Sequence, residues 1–194
     1  MVASVSSRPS RRSHALTSDG RFLIYEADYD IMALALNDAA DPIRIVATPA
    51  IEKSGRVSPN GRWIAYQSDD SGDYHVYVRP FPGSGAALRV STKIAAHPVW
   101  RGDGRELFWM GPSAGSFPFD TLFSADLAAD GATVRSAGAK PVLPAHLRLS
   151  PLTDSRSHFA VARDGQRFLL RQADGLPDPA VKMILNWPAM VRRD

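Results

Sequence analysis

The stretch VSPNGRWIAYQSDDSGDYHVYVRPFP, residues 57–82, decides how this chain folds. Val57 and Ser58 lead into Asn60-Gly61, a pair suited to a tight two-residue reversal. Glycine takes positive φ at no steric cost, and the asparagine before it tolerates the left-handed region. After Arg62 comes WIAYQS, a branched and aromatic run. Its side chains alternate, so Trp63, Ala65 and Gln67 face one way and Ile64, Tyr66 and Ser68 the other. SDDSGD, residues 68–73, is a loop of turn formers. The pattern predicts four strands over 53–58, 62–68, 74–80 and 87–91, running from innermost to outermost.

The unit repeats. LTSDGRFLIYEA from Leu16, VSPNGRWIAYQS from Val57, VWRGDGRELFWM from Val99 and VARDGQRFLLRQ from Val161 align on their Asp-Gly or Asn-Gly dipeptides. Each reads as strand, tight turn, strand. Gly20, Gly61, Gly104 and Gly165 lie 41, 43 and 61 residues apart, and the first two intervals match the roughly 40 to 45 residues of a four-stranded propeller blade. The third is longer, and the excess falls on GPSAGSFPFDT (111–121) and AKPVLPAHLRLSPLTDSRS (139–157), which read as loop insertions rich in proline, glycine and serine. LFSADLAAD from Leu122 fits a strand and turn as well as a helix. The expected fold is all-β, a partial propeller of about four blades over residues 14–52, 53–95, 96–150 and 157–191, between a disordered tail at 1–13 and a short one at 192–194. Such sheets bury their faces only against neighbouring sheets.

Composition agrees with a folded soluble chain. Of 194 residues, 44% are hydrophobic and 22% charged, which excludes disorder across the whole length. The absence of cysteine removes disulfides, thiolate metal sites and cysteine nucleophiles. No apolar run approaches the ~20 residues of a spanning helix. No apolar segment follows Arg11 and Arg12, so no secretory or twin-arginine signal is read and the chain as written is expected in the cytoplasm. The net charge of +3 is carried mainly by arginine, with lysine only at Lys53, Lys93, Lys140 and Lys182. Together with abundant alanine, this bias is read as GC-rich coding rather than a selected surface. Arg8, Arg11, Arg12, Arg192 and Arg193 lie at the chain ends, and a nucleic-acid partner, which needs a basic stripe interleaved with aromatics, is not expected.

SPNGRWIAYQSDDSGDYHVYVRPFPG, GDGRELFW, RDGQRFLL and ILNWPAM, in that order, resemble the carboxy-terminal part of TolB-like six-bladed propellers. The closest resemblance is to the propeller appended to bacterial serine/threonine protein kinases. It covers residues 55–191 well and 15–49 more loosely. The family's first two blades have no counterpart here, so the resemblance implies a fragment of a longer protein. The chain carries no glycine-rich phosphate loop, His-Arg-Asp loop or Asp-Phe-Gly motif, so kinase activity is not carried over to any residue. The resemblance implies a sensing or docking module without enzymatic activity or cofactor, whose partner is a protein or small-molecule ligand. Related propellers also gate prolyl-type peptidases, which supplies an alternative; a truncated relic without independent function is another. Open strand edges at either end would permit self-association.

Several residues invite a chemical reading. GPSAG (111–115) matches the nucleophile-elbow pattern, with Asp154 and His158 following in hydrolase order, but the elbow requires a strand-to-helix turn and Ser113 reads as a loop residue. Asp69, Asp70 and Asp73 offer oxygen ligands without the spacing of a calcium loop. His14, His75, His97, His146 and His158 lack metal-site spacing, so no metal is expected. His97 and its counterpart in the next repeat, His158, are candidates for a ligand site at the channel rim, where the resemblance places ligands. The alternative is a structural hydrogen bond to a neighbouring blade. Trp63, Trp100, Trp109 and Trp187 are expected to wedge between blades, with Trp187 in the last strand.

Overall fold

The Asp/Asn-Gly repeat folds into antiparallel sheets. The structure, a computed structural model, describes residues 12–37, 41–115, 117, 119–131, 133–145, 158–171 and 181–185, with backbone alone for 12–14, 171 and 181–185. Sheet 1 contains β1 (Arg12–Leu16), β2 (Phe22–Ala27), β3 (Asp30–Ala35) and β4 (Ile43–Val46), paired in that order. Sheet 2 contains β5 (Glu52–Val57), β6 (Trp63–Ser68), β7 (His75–Pro80) and β8 (Leu88–Arg89), again in chain order. Sheet 3 is built from β9 (Ala96–Trp100), β10 (Glu106–Gly111), β11 (Thr121–Asp130), β12 (Thr133–Ser136) and β13 (Lys140–Pro144). Sheet 4 joins β14 (Phe159–Val161), β15 (Arg167–Arg171) and β16 (Val181–Leu185). All regular structure among the described residues is β.

The turns between first and second strands differ from the two-residue reversal expected. Gly20, Gly61, Gly104 and Gly165 have φ of 70°, 71°, 72° and 73°, as the repeat requires. The residue before each is not left-handed. Instead Asp19, Asn60, Asp103 and Asp164 use their side-chain Oδ1 to accept the N–H two residues ahead, at 2.9–3.1 Å. Each glycine N–H donates to the carbonyl three residues back, at 2.8–2.9 Å. The reversal is thus a four-residue loop fixed by a side-chain acceptor, with glycine alone in the positive-φ position.

Sheet 3 also departs from expectation. The long interval after Gly104 is not merely inserted loop. The first half of β11 pairs with β13, as Thr121–Pro144 through Ser124–Lys140, while its second half, Leu127 to Asp130, pairs with β12. The proline-rich run at 139–145 is therefore largely an edge strand, where proline is tolerated because one side of the strand needs no ladder bond. LFSADLAAD lies entirely within β11.

Three apolar clusters glue the four sheets face to face. Ile24, Ile31, Ala33 and Val46 of sheet 1 meet Ile64, Tyr66, Tyr77 and Phe81. Trp63, Ala65, Val76 and Val78 of sheet 2 meet Trp100, Leu107, Trp109 and Ala125 of sheet 3. Phe108, Met110, Leu122 and Leu143 of sheet 3 meet Phe159, Phe168 and Leu170 of sheet 4. The alternation along β6 is what divides it: Trp63 and Ala65 go to one interface, Ile64 and Tyr66 to the other. The result is an open propeller arc.

Candidate functional site

The first strands carry the inter-sheet hooks. Ser54 and His97 stand seven residues before the turn glycines Gly61 and Gly104, and both adopt left-handed φ, 57° and 60°. Each coincides with a break in register, between Lys53 and Arg56 in one case and opposite Phe108 and Met110 in the other. Such a bulge turns one N–H out of the ladder. The Ser54 N–H donates to Glu26 Oε1 of sheet 1 at 2.8 Å, and the His97 N–H donates to Gln67 Oε1 of sheet 2 at 3.0 Å. Trp100 Nε1 adds a third bond between sheets, to the Arg56 carbonyl at 2.8 Å.

His97 and His158 meet across the junction of sheets 3 and 4. Their rings lie edge to face, 5.4 Å between centroids. Both are buried, at 2% and 7% exposure, so the pair sits inside the junction rather than on an open rim. His75 is spent within sheet 2, where Nδ1 and the Val76 N–H both meet the Ser91 hydroxyl; burial pushes its pKa down. The side chain of His14, and all of His146, Asp154 and Trp187, lie outside the described residues. Trp63, Trp100 and Trp109 share the cluster between sheets 2 and 3.

Ser113 lies in the loop between β10 and β11, and among the described residues no helix follows it. Its hydroxyl donates to Asp120 Oδ2 and its N–H to Asp120 Oδ1, both at 2.7 Å. Burial pulls the Asp120 carboxyl up, but these bonds and the Thr121 hydroxyl outweigh it and hold the pKa below the usual range. A carboxylate so stabilised as the anion is a poor base for the serine it binds.

In the acidic loop, Asp69 Oδ1 accepts the Ile51 N–H at 2.7 Å. Among the described residues no group of three or more histidine or carboxylate side chains could hold a metal ion. Glu52, at the start of β5, is wholly buried. Burial, and then the charges of Asp30 and Asp70, push its pKa up, against the pull of its bond with the Thr48 hydroxyl.

Open clefts lie elsewhere. The β11–β12 hairpin projects past the end of β10 and leans back over sheet 2, where Arg62 Nη2 donates to the Gly131 carbonyl and Val134 packs against the cluster that sheets 2 and 3 share. Clefts of about 480 and 530 Å³ flank this arm and share Asp103, Arg105, Leu127 and Ala128. Sequence reading passed over the arm, although Asp130-Gly131 is a further hairpin dipeptide of the repeating kind, with Gly131 at φ 59°. Among the described residues no helix is long and apolar enough to cross a membrane.

Antiparallel sheets packed face to face about an open arc, hooked to one another through their first strands, define a propeller fold. Solved structures with this fold include a TolB. A TolB of Agrobacterium tumefaciens superposes with a TM-score of 0.68 at 15% identity, over 91% of this chain and 58% of that one. A functionally unknown protein of Desulfotomaculum acetoxidans gives 0.56 at 12% identity, over 84% and 49%. A puromycin-hydrolyzing peptidase of Mycobacterium tuberculosis gives 0.55 at 13% identity, over 94% and 33%. This chain therefore spans little more than half the length of the first of these, and less of the others. No protein-family profile and no curated protein sequence matches the chain.

Proposed function

We propose that this chain is a non-enzymatic binding module, the propeller part of a bacterial signalling protein associated with serine/threonine kinases. The kinase association rests on the sequence resemblance of residues 55–191. The TolB-like fold supports a protein-binding role. The observation that carries the non-enzymatic reading is the environment of Ser113. Its hydroxyl proton is directed at Asp120, whose carboxyl is held ionised, and among the described residues no helix follows it to build the elbow that activates a serine. The likeness to the puromycin-hydrolyzing peptidase supports a second reading, in which the module gates a peptidase. The test is hydrolysis of p-nitrophenyl acetate and aminoacyl-naphthylamides by the purified chain. The expected result is no turnover above that of Ser113→Ala. Turnover that disappears in Ser113→Ala overturns the non-enzymatic reading.

A further inference from the structure

The four turn loops share one framework but not one side chain. Aspartate precedes the glycine at Asp19, Asp103 and Asp164, and asparagine at Asn60. The Asn60-Gly61 turn therefore carries an amide where its sister turns carry an acid. Asn60 is exposed, and nothing lies within 4 Å of the position that a Gly61 Cβ would take. The backbone nitrogen of Gly61 thus stands beside the side-chain amide with no side chain of its own to shield it. Asparagine is among the thermally labile residues, and this setting exposes its weak point.

The hydrogen bonds of the turn favour attack at Asn60 Cγ. The Ser58 hydroxyl donates to Oδ1 at 2.8 Å, and the Arg62 N–H donates to the same atom at 3.1 Å. Two donors on one carbonyl oxygen stabilise the negative charge that gathers there when a nucleophile adds to the carbon. Nδ2, the group that must leave, has no hydrogen-bond partner among the described residues. The Gly61 N–H is bound to the Ser58 carbonyl at 2.9 Å. Attack waits on the opening of that bond, a small local fluctuation in an exposed loop.

We propose that Asn60 is a site of spontaneous deamidation in the folded chain, and that the fold accepts the aspartate it becomes. The Gly61 nitrogen loses its proton to water and bonds to Asn60 Cγ. The bond from Cγ to Nδ2 breaks, ammonia leaves, and a cyclic succinimide joins the two residues. Water then opens the ring. Cleavage between Cγ and the Gly61 nitrogen leaves aspartate in the original backbone; cleavage at the main-chain carbonyl of residue 60 leaves isoaspartate. The net change is amide and water to carboxylic acid and ammonia, with no oxidant or cofactor. The aspartate turn already exists elsewhere in the molecule: Asp19 Oδ1 accepts the Thr17 hydroxyl at 2.6 Å and the Arg21 N–H at 3.0 Å, the same pair of bonds that Asn60 makes. Isoaspartate turns the Oδ1 carbonyl into main chain, so the loop loses its side-chain acceptor.

The test holds the full chain folded in mildly alkaline buffer, samples it over weeks, digests it at acidic pH and maps the peptides by mass spectrometry. Asn37 and Asn186, followed by Asp38 and Trp187, serve as internal references. The expected result is conversion at Asn60 at least tenfold faster than at either reference, with isoaspartate alongside aspartate because only the opened ring yields both. Gly61→Ala, whose methyl group shields the attacking nitrogen, should slow the conversion severalfold, and thermal melts confirm that this variant stays folded during the incubation. Asn60→Asp should melt within error of the wild type. Conversion at Asn60 no faster than at the references, an absence of isoaspartate, or an unchanged rate in Gly61→Ala overturns the site. An Asn60→Asp chain that melts well below the wild type overturns the turn's acceptance of the product.

Discussion

Gln67 reaches across from the second strand of sheet 2 to hold the first strand of sheet 3: its side-chain Oε1 accepts the His97 N–H at 3.0 Å. Glu26 does the same for Ser54 one sheet earlier, at 2.8 Å. Both acceptors stand six residues after a turn glycine and both donors seven residues before the next. The repeat thus encodes not only strands but a fixed bond between neighbours. In the third junction Met110 occupies the acceptor's place and His158 the donor's. There the apolar cluster of Phe108, Met110, Phe159 and Phe168 does the joining.

Gln67→Leu should show what the hook contributes. Leucine preserves most of the volume but leaves the His97 N–H facing an apolar side chain, in a residue already held at φ 60°. A buried donor without its acceptor costs about 1–3 kcal/mol. The expected outcome in urea unfolding is a lower midpoint with little change in slope. A midpoint within error of the wild type would mean that the bond is incidental to the junction.

The turn glycines predict a graded series. At Gly61 nothing lies within 4 Å of a Cβ, and φ is +71°, so only backbone conformation opposes a side chain. Gly61→Ala should cost about 1–2 kcal/mol, and Gly61→Asn less, because asparagine tolerates the left-handed region. Gly102 is different: an added Cβ would lie 2.8 Å from the Arg163 carbonyl oxygen, in the facing turn of sheet 4. Gly102→Ala should therefore loosen sheet 4 specifically. Hydrogen exchange should report faster exchange at residues 159–170, while sheets 1 and 2 stay protected.

Residues 57–82 made the fold legible because turn chemistry and strand alternation agree there at every position. The predicted strands end within two residues of those observed, and β6 divides its side chains between two interfaces as its alternation requires. Three features were less legible. The turn loops were read as two-residue reversals because the Asp or Asn side chain can act either by tolerating positive φ or by accepting a backbone N–H, and composition does not choose between them. The strand at 140–144 was hidden by Pro141 and Pro144, which read as loop until its position at a sheet edge is known. The clefts beside Arg105 depend on where the arm at 127–136 comes to lie, and that is fixed by its packing on sheet 2 rather than by local pattern. The meeting of His97 with His158 could be seen only as equivalence in the repeat; contact between them follows from the stacking of sheets.

Among the described tryptophans, Trp109 should be the most costly to remove. It is 2% exposed in the cluster between sheets 2 and 3 and stacks on Phe123, with centroids 6.5 Å apart and planes 14° apart. Trp109→Ala should cost about 3–5 kcal/mol through lost burial and the cavity left behind. Trp109→Phe keeps the aromatic contact and should cost less than half as much. Urea unfolding followed by far-UV circular dichroism gives both values. Equal losses for the two variants would place the energetic weight in the indole's particular shape rather than in filling the junction.

Glu52 should make stability fall as the pH rises toward neutral. It is fully buried, its Oε2 has no hydrogen-bond partner and its Oε1 accepts the Thr48 hydroxyl. Burial chiefly, then the charges of Asp30 and Asp70, raise its pKa above the usual carboxylate value of 4.5. The folded chain therefore holds this proton to higher pH than the unfolded chain does. Its stabilising effect is full below the unfolded pKa and is lost as the pH climbs through the raised one. Glu52→Gln keeps an acceptor for Thr48 and carries no charge at any pH. Wild type and variant should have similar urea midpoints near pH 4, and the variant should become the more stable as the pH approaches about 7. If the wild type instead gains on the variant over that interval, the ionised carboxylate has a favourable partner in solution and its burial is not the governing cost.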